Sequence, residues 1–93
     1  MPYGLYFLTR VKKQPYGEIM EKSMKITDSK KLGQAIRSRR KELHYTQAYL
    51  SEFTGLSITF ISDLERGKPT AEIEKTICLI NILGLDLLVE KRG

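Results

Sequence analysis

The chain is short of the residues from which most protein chemistry is built. Cys78 is its one cysteine in 93 residues, so no internal disulfide can form, which fits a reducing compartment. His44 is its one histidine, with no second histidine or cysteine at ligand spacing, so no metal site is expected. No apolar run approaches the roughly 18 residues of a membrane span. The opening stretch "MPYGLYFLTRVKK" is not expected to be a secretory leader, because its apolar part is short and precedes the positive charges. A cytoplasmic protein is the resulting expectation. Internal repeats and low-complexity segments are absent from the sequence. No phosphate-binding loop, paired-carboxylate spacing or Ser/His/Asp arrangement rises above chance. We therefore expect no enzymatic activity, no cofactor and no small-molecule ligand.

What remains is a domain-sized chain with a thin core, to which a partner or a second copy would add burial. Lys and Arg outnumber Asp and Glu by 16 to 11, for a net charge of +5. Residues 1–45 carry a net +7 and residues 46–93 a net −2. A basic half on a small domain points to a polyanionic partner or to solvated helix faces, and composition does not choose between them.

Residues 1–28 read as an amino-terminal extension and residues 29–93 as the domain proper. In the extension, Tyr3, Leu5, Phe7, Thr9 and Val11 alternate with Gly4, Tyr6, Leu8 and Arg10, the period of a strand. Pro15 and Gly17 break that pattern, and a polar linker follows. Met20 and Met24 offer alternative starts. Tyr3, Tyr6, Phe7 and Tyr16 suit packing better than base stacking.

Four helices are expected after the extension. The first begins at Asp28 or Ser29 as N-cap, with Leu32, Ala35, Ile36 and Leu43 as its apolar stripe. Arg40 lies on the inward side of that helix, where a charge needs a partner. His44 follows, in a structural or solvated role or as a phosphate contact. The second helix starts at the cap Thr46 and stops at Gly55, in the left-handed conformation that glycine adopts at least cost. Ser57 caps the third, which points Ile61 and Leu64 inward and stops at Gly67. Pro69 blocks continuation, and Thr70 caps a fourth helix that buries Ile73, Ile77, Ile80 and Leu83 before Gly84. Cys78 reads as a buried small hydrophobe. The tail "LDLLVEKRG" is rich in strand formers and reads as a terminal strand.

Two short helices joined by a tight turn with glycine make a helix-turn-helix. A helix enters the major groove of B-DNA if its exposed amino-terminal face is not bulky, and Ser57, Ile58 and Thr59 meet that requirement. Thr46 and Gln47 sit at the positive end of the second helix, where backbone N–H groups can receive a phosphate oxygen. The stretch "IRSRRKELHYTQAYLSEFTGLSITFISDLERGK" resembles the Xre/Cro-type helix-turn-helix family of phage repressors and bacterial regulators. The resemblance spans about Leu32 to Leu85 and rests on the Arg-rich end of the first helix, Thr46-Gln47, Leu50, Gly55, Ser57, Ile61-Ser62 and Glu65-Arg66-Gly67-Lys68.

The resemblance implies a mostly α fold, a four- to five-helix domain with a short carboxy-terminal β-strand that pairs across a dimer, and DNA as partner. It implies that Gln47 holds a phosphate and abuts the start of the third helix. Ser57, Ile58 and Thr59 would reach base edges, with Ser62 and Asp63 one turn on; Arg66 and Lys68 would flank the backbone, with Arg37 and Arg39 as further DNA contacts. It also pairs Arg40 with Glu65 inside the fold. Two positions depart from the family pattern. Ser51 stands where an Ala is usual, and its hydroxyl is expected to bond back to the Gln47 carbonyl. Asp63 stands where a neutral amide is common. It can accept from a cytosine amino group or pair with Arg66, and the pairing is expected because phosphate repels an unpaired carboxylate.

Size and terminal strand make the chain similar to the HipB-type antitoxins, which implies a repressor of its own operon with a HipA-like kinase toxin as partner. A stand-alone phage-type or restriction-modification controller, and an interaction module that has lost DNA binding, are the other readings. In the tail, Leu85, Leu87 and Val89 share one face and Leu88 lies on the other. A lone strand leaves its backbone groups unpaired. Its partner is either the same strand of a second chain or residues 3–11 of its own, and we expect the intermolecular pair to hold a homodimer.

Overall fold

The computed structural model describes residues 23–93, which form four helices and no strand among the described residues. Helix α1 spans Ser29–Glu42, α2 Gln47–Thr54, α3 Ile58–Glu65 and α4 Ile73–Ile82. The strand-like stretch at residues 3–11 lies outside the described residues.

Three of the four starts follow from local chemistry. The Asp28 carboxylate accepts the Lys31 N–H at 2.8 Å, the Thr46 hydroxyl accepts the Tyr49 N–H at 2.9 Å, and the Ser57 hydroxyl accepts the Phe60 N–H at 3.0 Å. The fourth start differs from expectation. Thr70 is exposed in a turn, Ala71 packs partly against the core, and α4 begins after Glu72 with no side-chain cap. Ends are equally local. The Gly67 N–H donates to the Leu64 carbonyl and the Lys68 N–H to that of Asp63, both at 3.0 Å, and the Gly84 and Leu85 N–H groups repeat the pattern on Asn81 and Ile80. Helix α1 ends in the same way, but with His44 at φ +63° in the position that glycine fills elsewhere.

The core consists of Ile36 from α1, Leu50 from α2, Ile61 and Leu64 from α3, and Leu79, Ile80 and Leu83 from α4 and its end. Leu32, Leu43, Tyr45, Leu56, Phe60, Ala71 and Leu85 close over it. Helices α1 and α3 approach closely at Gly33, where a Cβ would stand 2.4 Å from the Leu64 carbonyl oxygen.

Helix α4 turns a different face inward from the one its spacing suggested. Thr76, Leu79, Ile80 and Leu83 are buried, Ile77 is half-buried, and Ile73 is 65% exposed. The buried Thr76 hydroxyl donates to the Glu72 carbonyl at 2.7 Å, which lets a polar residue occupy the inner arc. The rotation leaves Cys78 exposed instead of buried. Beyond α4, Leu85 rests on the core, while Leu87, Leu88 and Val89 are exposed and form no strand in the single chain. A lone extended segment has no ladder to join.

Candidate nucleic-acid interface

The turn between α2 and α3 is fixed by glycine and by two hydroxyls. Gly55 takes φ +82° and donates its N–H to the Ser51 carbonyl at 2.9 Å. The Ser51 hydroxyl donates forward to the Leu56 carbonyl at 2.6 Å, not back to Gln47 as expected. The Thr54 hydroxyl donates to the Leu50 carbonyl and accepts the Leu56 N–H at 3.1 Å. Helix α3 therefore leaves this turn in a set direction, with Ser57, Ile58 and Thr59 all exposed at its amino-terminal end.

The other end of α3 is anchored from inside. Arg40 donates to both Glu65 oxygens, at 2.6 and 2.9 Å, and to the Tyr45 carbonyl at 2.9 Å. Both side chains of the pair are nearly fully buried. The fork of a guanidinium matches a carboxylate bidentately, so the charges satisfy each other's lone pairs and protons where water cannot. Gln47 adds a third bond, its amide donating to Glu65 Oε1 at 3.1 Å. That side chain joins the start of α2 to the end of α3, not to its start, and leaves its second amide N–H and the backbone N–H for a phosphate.

Beside this network lies an open groove of ≈ 470 Å³ lined by Arg37, Arg40, Lys41, His44, Tyr45, Thr46 and Gln47. Two α1 cations four residues apart, Arg37 and Lys41, thus meet the positive end of α2. Lys41 and Tyr45 were not among the expected contacts, although the spacing of Arg37 and Lys41 on one helix face was the available signal. Arg39 points away: its Nε donates to the Leu83 carbonyl at 2.8 Å and its Nη1 pairs with Glu42 at 3.2 Å. At the carboxy-terminal end of α3, Asp63 pairs with Arg66 at 2.6 Å and with Lys68 at 3.6 Å, and Arg66 also donates to the Ser62 hydroxyl. On the outer side of α2, Tyr45, Tyr49 and Phe53 form a ladder with ring centroids 5.0 and 6.0 Å apart, the last two stacked and largely exposed. Their spacing of four residues is legible in the sequence.

A helix-turn-helix family model matches residues 36–88. The chain belongs to the helix-turn-helix family. It is a DNA-binding transcription regulator of the Xre type. The ImmF control region 10 kDa protein of Bacillus phage phi105 is 36% identical over 64 residues, 69% of this chain and 71% of that protein. An uncharacterized HTH-type transcriptional regulator of Sinorhizobium fredii is 39% identical over 56 residues, 60% of this chain and 74% of the relative. Among solved structures, a HipB–O4 20mer complex superposes with a TM-score of 0.69 at 20% identity, covering 76% of this chain and 100% of that one. A HipB variant with an O2 20mer gives 0.70 at 21%, covering 76% and 99%. At that identity the likeness is one of fold.

Within this helix-turn-helix, α3 is the second helix, and Gln47 ties its Glu65 end to the start of α2 beside the groove. Among the described residues no group of His, Cys, Asp and Glu could hold a metal ion, and no helix is long and apolar enough to cross a membrane.

Proposed function

We propose that the chain is a dimeric, operator-specific repressor. The observation that carries this reading is the exposure of Ser57, Ile58 and Thr59 at the amino-terminal end of α3, and the basic groove at the start of α2 supports it. Ser57, Ile58 and Thr59 read base edges in the major groove, the last two through thymine methyl groups. Backbone N–H groups of Gln47 and its neighbours receive a phosphate, with Arg37 and Lys41 along the same strand. Arg66 and Lys68 lie against the backbone at the far end of α3. Leu87, Leu88 and Val89, exposed in the single chain, join the same segment of a second copy beside Leu85. That two-fold pairing places two recognition helices on half-sites about 34 Å apart.

Titration of the chain with its own upstream DNA and with a scrambled duplex, across a salt series, tests the reading. Tighter binding to the upstream DNA at every salt supports it. Equal, salt-sensitive affinity for both removes the specificity. Deleting residues 85–93 is expected to halve the mass in sedimentation and to abolish tight operator binding.

The regulator represses its own operon and, in this reading, is the antitoxin of a HipA-like kinase; the fold likeness to HipB bound to DNA supports it. The 36% identity to a phage control-region protein favours a second reading, a stand-alone regulator. Co-expression with the neighbouring gene product separates the two. Co-elution and relief of growth arrest mark an antitoxin; neither marks a stand-alone repressor.

A further inference from the structure

Two of the cations assigned to the DNA backbone are already engaged by one carboxylate of the recognition helix itself. Asp63 Oδ1 accepts from Arg66 Nη2 at 2.6 Å, and Asp63 Oδ2 faces Lys68 Nζ at 3.6 Å. The arrangement is held by the main chain. The Lys68 N–H donates to the Asp63 carbonyl at 3.0 Å and the Arg66 N–H to the same oxygen at 3.1 Å, so the helix end folds both residues back over their acid. The Asp63 side chain is 26% exposed, against 68% for Arg66 and 50% for Lys68. The anion is thus the inner member and the cations form the outer layer, on the side from which a phosphate would approach. Three charges present a net +1 there instead of +2.

We propose that Asp63 competes with DNA phosphate for Arg66 and Lys68 and so sets the margin by which operator binding exceeds non-specific binding. This rests on the reading of α3 as the DNA-facing helix. Non-specific affinity comes almost wholly from cations meeting phosphates. Base contacts by Ser57, Ile58 and Thr59 do not use those cations. An acid that occupies both therefore weakens binding most at scrambled sites, where α3 is not fully seated, leaves the base contacts untouched, and so widens the ratio between right and wrong sites. On operator, where α3 is fully seated, phosphate displaces the carboxylate and the cations are recovered.

The experiment compares the full chain with Asp63→Asn, Asp63→Glu, Arg66→Ala/Lys68→Ala and the triple variant Asp63→Asn/Arg66→Ala/Lys68→Ala. Each is titrated with upstream DNA and with a scrambled duplex between roughly 50 and 200 mM salt. Asp63→Asn is expected to tighten scrambled DNA by roughly threefold to tenfold, the scale of two exposed ion pairs, and upstream DNA less. The slope of log affinity against log salt should steepen by about 0.9 on scrambled DNA, the release expected for one added charge. Asp63→Glu should behave as wild type. In the triple variant the gain should vanish relative to Arg66→Ala/Lys68→Ala. A gain that persists there means direct repulsion between carboxylate and phosphate and overturns the proposal. Weaker upstream binding with scrambled binding unchanged makes Asp63 a base reader and also overturns it, as does no change at all. A wild-type chain that binds neither duplex is a different failure, that of the reading of α3.

Discussion

Glu65 and Arg66 are neighbours in the chain, and each belongs to an arginine–carboxylate pair, yet the two pairs have opposite characters. Glu65 meets Arg40 across 25 residues of sequence, with side chains 3% and 9% exposed. Arg66 meets Asp63 within one turn, with the guanidinium 68% exposed. The first pair spans two helices and has its hydrogen bonds completed by Gln47 and by the Tyr45 carbonyl. The second bridges a helix to its own cap. Burial decides what each is worth. An unpaired charge inside the fold cannot be rehydrated, whereas an exposed charge that loses its partner regains water. One pair therefore belongs to the fold, and the other is available to a ligand.

The sharpest test of that division is to break the inner pair. Glu65→Ala leaves Arg40 charged and enclosed, and is expected to destabilise the chain by about 3–5 kcal/mol in urea unfolding. Replacing both partners together by apolar residues of similar volume should recover most of that loss, because neither charge is then stranded. A single substitution that costs no more than the double one would mean that water reaches the pair, and the contrast with Asp63–Arg66 would collapse.

Next in size is Gly33, on the same seam. Its missing Cβ is what lets α1 lie against the Leu64 and Glu65 carbonyl oxygens, 2.4 and 2.7 Å from where that atom would be. Alanine at a helix interior gains about 1 kcal/mol in propensity. Forcing the helices apart costs about 1–3 kcal/mol, and the obstacle here is backbone, which cannot rotate away. Gly33→Ala is thus expected to lose up to about 2 kcal/mol net and to tilt α3, lowering DNA affinity with it. A stabilised Gly33→Ala would show that α3 can move outward freely.

How far these features were legible in the sequence follows the same division between local and distant. Thr46, Gly55, Ser57 and Gly67 act within one turn of themselves, and their residue types announce what they do. The need of Arg40 for a partner was legible from its inward place between Ile36 and Leu43, while Glu65 as that partner came from the resemblance. Arg39 was not legible, because its anchor is the Leu83 carbonyl, 44 residues away, and a carbonyl has no residue type to read. Helix α4 has apolar residues on every side, so the stripe Ile73–Ile77–Ile80 is as consistent with the sequence as the true one, and a polar Thr76 gives no signal of burial. The left-handed His44 was hidden because histidine does not advertise that conformation as glycine does. The terminal strand needs a second strand, which the described residues of one chain do not supply.

Gln47 connects the two halves of the comparison and comes third in expected effect. Its amide bonds to Glu65 and the residue also lines the groove. Gln47→Ala removes one hydrogen bond to a carboxylate that keeps Arg40, for about 1.5 kcal/mol, the low end for bonds to charged groups. Because α2 and α3 lose their tie, affinity should fall alike for operator and scrambled DNA, without a change in sequence preference. Gln47→Glu should be worse, since it sets a second carboxylate against Glu65. Loss of preference in either variant would make Gln47 a base reader.

The smallest effect on stability is expected at Arg66, and the argument depends on its being small. Exposed ion pairs contribute about 0–1 kcal/mol, and the Asp63–Arg66 pair lies at the end of a helix already closed by the Gly67 and Lys68 N–H groups. Arg66→Ala should shift the unfolding free energy by no more than about 0.5 kcal/mol, and less still at high salt, where a surface pair is screened and the buried Arg40–Glu65 pair is not. The same variant should weaken DNA of any sequence and flatten the salt dependence, because one phosphate contact is gone. Urea melts at low and high salt, run beside the DNA titrations, measure both. If Arg66→Ala unfolds the chain as readily as Glu65→Ala, the outer pair is as much a part of the fold as the inner one, and burial was the wrong basis for separating them.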